Sequence, residues 1–320
     1  MQIEAVKDKT VIVAPLDWGM GHVTRCVPLI RQFLEQKCRV IFAGTAFQSS
    51  FMQKDFPGLI CENIEGYNVS LDPSKSTYFQ MLQQGLKLRK VIRREQAVAR
   101  EIQKKYQAEV ILSDNRYGFR SDRAFNIFLT HQLSPPVPLM RAQLTQRLKK
   151  YVDQFDCCWI PDSNEHPIVS ELNDVKLKIP ITKIGWLCRF RKMKSSNCKY
   201  ELLFISSGPL PQRHAFERQI LDQLNDVNAA FVCPDDEVIK TAHINPSTED
   251  LNQLINDSKW VVSRSGYTTV MEMISLQKKA YLIPTPRQYE QEWLAQHIKS
   301  EFIFNGKIEQ LKEIFSSKTD

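Results

Sequence analysis

Apolar positions along the chain switch between two periods. Val11-Ile12-Val13-Ala14 forms a short apolar run that enters a glycine loop through Gly21. Val27, Ile30, Phe33 and Leu34 then share one face of a helix expected from about Thr24 to Gln36. Arg39-Val40-Ile41-Phe42-Ala43 and residues 60–64 read as further strands. From Thr77 to Tyr106, Phe79, Leu82, Leu86, Ile92, Val98 and Ile102 keep near-helical spacing and predict one long amphipathic helix. Val110-Ile111-Leu112, Asn126-Ile127-Phe128-Leu129 and Cys158-Trp159-Ile160 complete the strands of the first half.

The second half repeats the alternation. Residues 202–205, 229–232, 260–262 and 280–283 read as strands. Helices are expected from Pro211 to Leu224, from a capping sequence at Ser247 to Asn256, from Thr268 to Leu276, from Glu290 to Ser300 and from Ile308 to Phe315. Strand–helix alternation predicts an α/β protein with mostly parallel, doubly wound sheets. Between Pro180 and Lys194 the pattern gives way to a basic polar run through Asn197. The expected division is 1–185 and 186–320, with a cleft between two domains and the last helix packing near the join.

Composition narrows the class. At 42% hydrophobic and 25% charged residues, the chain of 320 is an ordinary globular protein of two-domain size. No run approaches a membrane span, and the N-terminus lacks the order of a secretory signal. The eight cysteines form no CxxC pair and no cluster with metal-ligand spacing, so reduced thiols, no metal and a cytoplasmic location are expected. A formal charge of +7 favours anionic partners. Lys87, Arg89, Lys90, Arg93, Arg94, Arg100, Lys104 and Lys105 lie in one segment. That segment is either a solvated helix face or a surface for an anionic membrane. No interleaving of basic and aromatic residues marks a nucleic-acid platform.

Two turns carry the candidate chemistry. Trp18-Gly19-Met20-Gly21-His22 follows the first strand, where ligands of open parallel sheets bind. His22 is either a general base or a packing histidine. Thr24 stands where a full GxGxxG would need glycine, so the dinucleotide fingerprint is incomplete. Arg264-Ser265-Gly266-Tyr267-Thr268-Thr269 follows a second-half strand and opens a helix, whose free N–H groups would suit a diphosphate. Glu272, one turn further in, could accept from ribose hydroxyls or simply face solvent.

The run Arg264-Ser265-Gly266 with Thr269, Val270 and Glu272 resembles the donor motif of the MurG-like glycosyltransferases of family 28. That resemblance implies a GT-B fold of two facing Rossmann-like domains and sugar transfer from UDP to a lipid-linked acceptor. It assigns Gly19, Gly21 and His22 to the first glycine loop and Arg189 to a phosphate contact. Ser207 and Gly208 match a small-residue donor loop, and Glu290 with Gln291 a sugar-contacting segment. Glu292 and Ala295 depart from the family pattern in the sugar-contacting segment, away from the nucleotide motif.

Asp114-Asn115-Arg116-Tyr117 and His131 follow first-half strands and could meet the acceptor, or form polar strand-end loops. Asp114 could be a rival base or an orienter of His22. The expected reaction is an inverting, metal-independent transfer without cofactor, on a glycan or lipid-linked acceptor, in cell-envelope synthesis. An epimerase of the same fold and a non-catalytic nucleotide-sugar-binding partner remain open alternatives.

Overall fold

A computed structural model describes residues 1–67, 85–137, 140–193, 198–225 and 227–316. The first part of the long helix expected from Thr77, with Phe79 and Leu82, lies outside the described residues. So do the side chains of Leu86 and Lys87, and Lys194 to Asn197 in the join. The chain forms two compact units, Met1–Leu187 and Cys188–Asp320.

The first unit is built on β1 (Thr10–Pro15), β2 (Arg39–Gly44), β3 (Ile60–Asn63), β4 (Val110–Asp114), β5 (Phe125–Leu129), β6 (Cys157–Ile160) and β7 (Ile181–Lys183). All pair in parallel in the order β3-β2-β1-β4-β5-β6-β7. Strand β1 lies between β2 and β4, with Ile12 beside both Ile41 and Ile111. Strand order therefore reverses at the β1–β4 boundary, and the loops leaving the carboxyl ends of these strands diverge there. Helices α1 (Met20–Glu35), α2 (Ala46–Asp55), α3 (Gly85–Tyr106) and α4 (Arg141–Val152) accompany the sheet. Ala99 and Ile102 of α3 pack on Ile12, Ile41 and Ile111, so the strands read as apolar runs rather than alternating ones.

Helix α1 starts at Met20, four residues before the apolar stripe suggested. Gly19 alone makes the turn, at φ 81°, which leaves Gly21 and His22 in the first helical turn rather than in a loop. Helix α2 and helix α4 were not anticipated, because neither carries an apolar stripe. The buried residues of α2 are Gln48, Ser49 and Met52, and those of α4 are Thr145 and Val152. A capping box starts α2: Gln48 N–H donates to Thr45 Oγ1 (3.3 Å) and Thr45 N–H to Gln48 Oε1 (3.0 Å).

The second unit contains β8 (Tyr200–Ile205), β9 (Ala229–Cys233), β10 (His243–Ile244), β11 (Ser258–Arg264), β12 (Ala280–Ile283) and β13 (Ile303–Asn305). The order is β10-β9-β8-β11-β12-β13, again all parallel. The same reversal falls between β8 and β11. Its helices are α5 (Gln212–Leu224), α6 (Thr248–Asn256), α7 (Tyr267–Leu276), α8 (Tyr289–His297) and α9 (Leu311–Ser316). Leu202, Phe204, Phe216, Ile220 and Leu311 share one core. Helix α9 thus packs on α5 within its own unit.

Candidate functional site

In the first unit, four polar side chains converge where β1 and β4 end. Asp114, the last residue of β4, is completely buried. Arg25 of α1, one turn beyond His22, is buried with it. Arg25 Nε donates to Asp114 Oδ2 at 2.7 Å, and Nη2 donates to Oδ1. Arg25 Nη1 lies 2.7 Å from His131 Nδ1, just beyond β5, and Nη2 lies 2.8 Å from His22 Nδ1. His22 Nδ1 is 3.2 Å from Asp114 Oδ1.

This geometry fixes the charges. Burial alone would raise the Asp114 carboxyl, but Arg25 and His22 outweigh it and hold it at about 2. His22 is pushed below its ordinary value, first by burial and then by Arg25, against the pull of Asp114. At neutral pH the centre is an ionised Arg25–Asp114 pair with an uncharged His22. The sequence pointed to His22, Asp114 and His131, and the structure brings them together. Arg25 was missed. Its signal was its position three residues after His22, on the same helical face.

The rest of the Asp114 loop turns inward. Asn115 adopts φ 56° and donates its N–H to Leu129 O at 3.1 Å. Arg116 is fully buried; Nε donates to Pro15 O (2.7 Å) and Nη1 to Glu95 Oε1 (2.8 Å). The Tyr117 ring packs against Phe128 and Tyr151, and burial pushes its hydroxyl well up. These contacts hold the loop against the sheet. Gly118 is required there, because a Cβ would meet Ile92 O at 2.2 Å.

In the second unit, the turn after β11 leads into α7. Gly266 is the N-cap, in extended conformation at φ −73°, with no side-chain cap and nothing within 4 Å of where a Cβ would stand. The N-cap residue thus offers no side chain to the start of α7. Ser265 is buried and donates Oγ–H to Gln291 O at 3.1 Å, which ties this turn to α8. Gln291 Oε1 accepts from Thr285 N–H (2.9 Å), and Glu292 Oε1 from Arg287 N–H (2.7 Å). Thr268 is buried and Thr269 and Glu290 are half-buried.

Arg264 points elsewhere. Its guanidinium lies 3.5 Å over the Phe216 ring, Nη1 donates to Pro284 O at 3.2 Å, and burial lowers its pKa to about 10. Arg189 Nε donates to Glu272 Oε1 at 2.9 Å, and burial raises the Glu272 carboxyl against the pull of Arg189. The residues expected at phosphate and at ribose are thus paired with each other.

At the end of β8, Ser206 Oγ–H donates to Glu217 Oε1 at 2.5 Å, while Ser207 is half-buried and Gly208 is exposed at φ 114°. His214, Glu217 and Asp235 lie close enough to share a metal ion, a grouping the sequence reading did not find. Arg213 already donates to Asp235 and lies 3.2 Å from His214 Nε2, so a guanidinium already occupies this cluster and offsets part of its negative charge. On α3, Arg94, Arg100 and Lys105 pair with Glu65, Asp122 and Glu62, which reduces the net positive charge of that face. Among the described residues no helix is long and apolar enough to cross a membrane.

Residues 211–307 match the family model described as Glycosyltransferase family 28 C-terminal domain. Solved structures match over nearly the whole chain. The spinosyn rhamnosyltransferase SpnG aligns at TM-score 0.61 and 13% identity, covering 96% of this chain and 91% of its own. SpnG has also been solved complexed with thymidine diphosphate, and that structure aligns at TM-score 0.60 and 12% identity, with 96% and 91% covered. MurG of Acinetobacter baumannii aligns at TM-score 0.53 and 14% identity, with 98% and 91% covered. The fold is GT-B. Its two Rossmann-like domains correspond to the two units, and the MurG-like resemblance read around Arg264 to Glu272 falls inside the matched segment. No curated protein sequence matches the chain.

Proposed function

We propose that this protein is a glycosyltransferase that moves a sugar from a nucleoside diphosphate donor to an acceptor hydroxyl. The observation that carries the reading is the glycine-capped start of α7 at Gly266, with room beside the glycine, placed at the β8–β11 reversal inside the segment matching family 28. Backbone N–H groups there would take the diphosphate, with Ser265, Thr268 and Thr269 flanking it. Glu272 would accept from the ribose hydroxyls while Arg189 holds its carboxylate in place. The sugar would lie toward Glu290 and Gln291, with Ser207 and Gly208 closing over the phosphates.

His22 would take the acceptor's hydroxyl proton, which supports an inverting displacement. Asp114 serves as its orienter, because a carboxylate held at about 2 and doubly bonded to Arg25 is a poor base. Helix N–H groups stabilising the leaving diphosphate would make a divalent metal unnecessary. A glycan or lipid-linked acceptor, met from the loops around Gly19, Asn115 and His131, and a role at an anionic membrane surface in cell-envelope synthesis, complete the reading.

The test is calorimetric titration with UDP and with TDP, the second because a structural relative carries thymidine diphosphate. Saturable binding of one of them, unchanged by a chelator, supports the reading. Absence of binding by both refutes it. An epimerase would use the same donor turn but release no nucleoside diphosphate, so product analysis separates the two.

A further inference from the structure

His22 cannot satisfy both of its neighbours through Nδ1. Arg25 Nη2, 2.8 Å away, can only donate, so this contact needs a lone pair on Nδ1. Asp114 Oδ1, 3.2 Å away, can only accept once ionised, so that contact needs a proton on the same atom. The guanidinium cannot give up its proton and cannot turn away easily. Nε and Nη2 hold both oxygens of Asp114, and Nη1 lies 2.7 Å from His131 Nδ1. The Arg25 contact is also the shorter of the two, and Asp114 Oδ1 already receives Arg25 Nη2.

We infer that Arg25 is a positioning residue that sets the tautomer of both histidines, its N–H groups taking the Nδ1 lone pairs of His22 and His131 and leaving the ring proton on Nε2. The inference rests on reading His22 as the acceptor-side base, and it regulates that same site. With its proton on Nε2, His22 presents a donor and holds no lone pair for an acceptor hydroxyl. It becomes a base only when the His22 ring shifts off Arg25 Nη2 towards Asp114 Oδ1, breaking the Nη2–Nδ1 contact, while the Nε2 proton leaves to water and water supplies a proton to Nδ1, which then donates to Asp114. Nε2 is then free to take the hydroxyl proton. The resting centre is thereby kept from activating water against a bound donor.

The charged and titratable groups facing His22 are Arg25 and the Cys26 thiol from its own helix, Asp114 from β4 and His131 beyond β5. Burial first, and then Asp114, push the Cys26 thiol well up, so it stays protonated and uncharged. None of these supplies a competing donor as well placed as Arg25.

The experiment is long-range proton–nitrogen NMR on full-length protein labelled with 15N in its imidazoles, at pH 7.5. His22→Gln and His131→Gln assign the signals. The expected wild-type spectrum shows both rings as the Nε2–H form. Arg25→Lys keeps the charge but loses the planar fork, and is expected to shift His22 into a mixture with the Nδ1–H form. A merely structural role for Arg25 would not move this signature. Wild-type His22 found as the Nδ1–H form overturns the inference, as does an Arg25→Lys protein, folded by circular dichroism, whose tautomers are unchanged. If Arg25→Lys does not fold, the wild-type spectrum alone decides. Nucleotide binding in the second unit is read separately, so failure of the donor reading is distinguishable.

Discussion

Replacing Gly266 with aspartate separates stability from binding at the proposed donor turn. Gly266 has φ −73° and ψ 146°, which any residue adopts, and open space where the Cβ would stand. Aspartate at an N-cap accepts from the first N–H groups, so Gly266→Asp should raise stability by roughly 0.3 kcal/mol. The same carboxylate would stand against a diphosphate bound to those N–H groups. One charge pair at ~5 Å and an effective dielectric of ~20 costs about 3 kcal/mol. Salt and partial exposure roughly halve this, but the diphosphate carries about two charges, so ~3 kcal/mol is the working figure. That is on the order of a hundredfold in affinity. Paired calorimetry with UDP and thermal melts are the assay, with Gly266→Ala as the uncharged control, expected to weaken binding less than about tenfold. UDP affinity within about threefold of wild type, in a melt-stable Gly266→Asp protein, would refute the diphosphate placement.

His22→Ala should lower turnover by about a hundredfold or more while leaving nucleotide affinity in the second unit unchanged; equal turnover by wild type and variant removes His22 as the base. Asp114 contributes stability that is present above its unfolded value near 3.8 and lost as pH falls towards its folded value of about 2. Acid melts should therefore show a contribution of about 2 kcal/mol disappearing in that window, and Asp114→Asn should flatten it. His22, lowered by burial, adds a separate loss that begins at higher pH, as pH falls below its ordinary value of 6.5. Arg264→Met should cost about 2 kcal/mol by removing the cation over Phe216 and leaving the Pro284 carbonyl without its donor. UDP affinity should change less than about threefold in this variant, because the guanidinium faces the core; a larger loss would return Arg264 to the donor site.

What the sequence disclosed followed burial pattern. Strands such as Val11–Ala14 and Val261–Val262 are buried on both faces, and their apolar runs read directly as parallel-sheet strands. Helices α2 and α4 were invisible because the residues they bury are mainly polar. At the candidate site, residue type and position after a strand found His22, Asp114, Ser265 and Gly266. Side-chain direction was not legible. Arg264 and Arg189 are the residue types that meet phosphate, yet one stacks on Phe216 and the other pairs with Glu272. Arg25 looked like a polar helix position, and only the β1–β4 pairing brings the Asp114 carboxylate to it. The His214–Glu217–Asp235 group likewise needs the β8–β9 pairing to carry Asp235 to α5.

The most direct test of the central claim is nucleoside diphosphate release from a panel of UDP- and TDP-sugars, followed with and without a crude glycan and lipid acceptor fraction. The account predicts that one donor class releases its nucleoside diphosphate, slowly alone and faster with acceptor. It also predicts that Gly266→Asp lowers release at sub-saturating donor by about a hundredfold through weakened donor binding, and that His22→Ala lowers it by about a hundredfold or more through lost proton transfer. A panel in which no donor is cleaved, or in which a sugar is epimerised with its diphosphate bond intact, would contradict it.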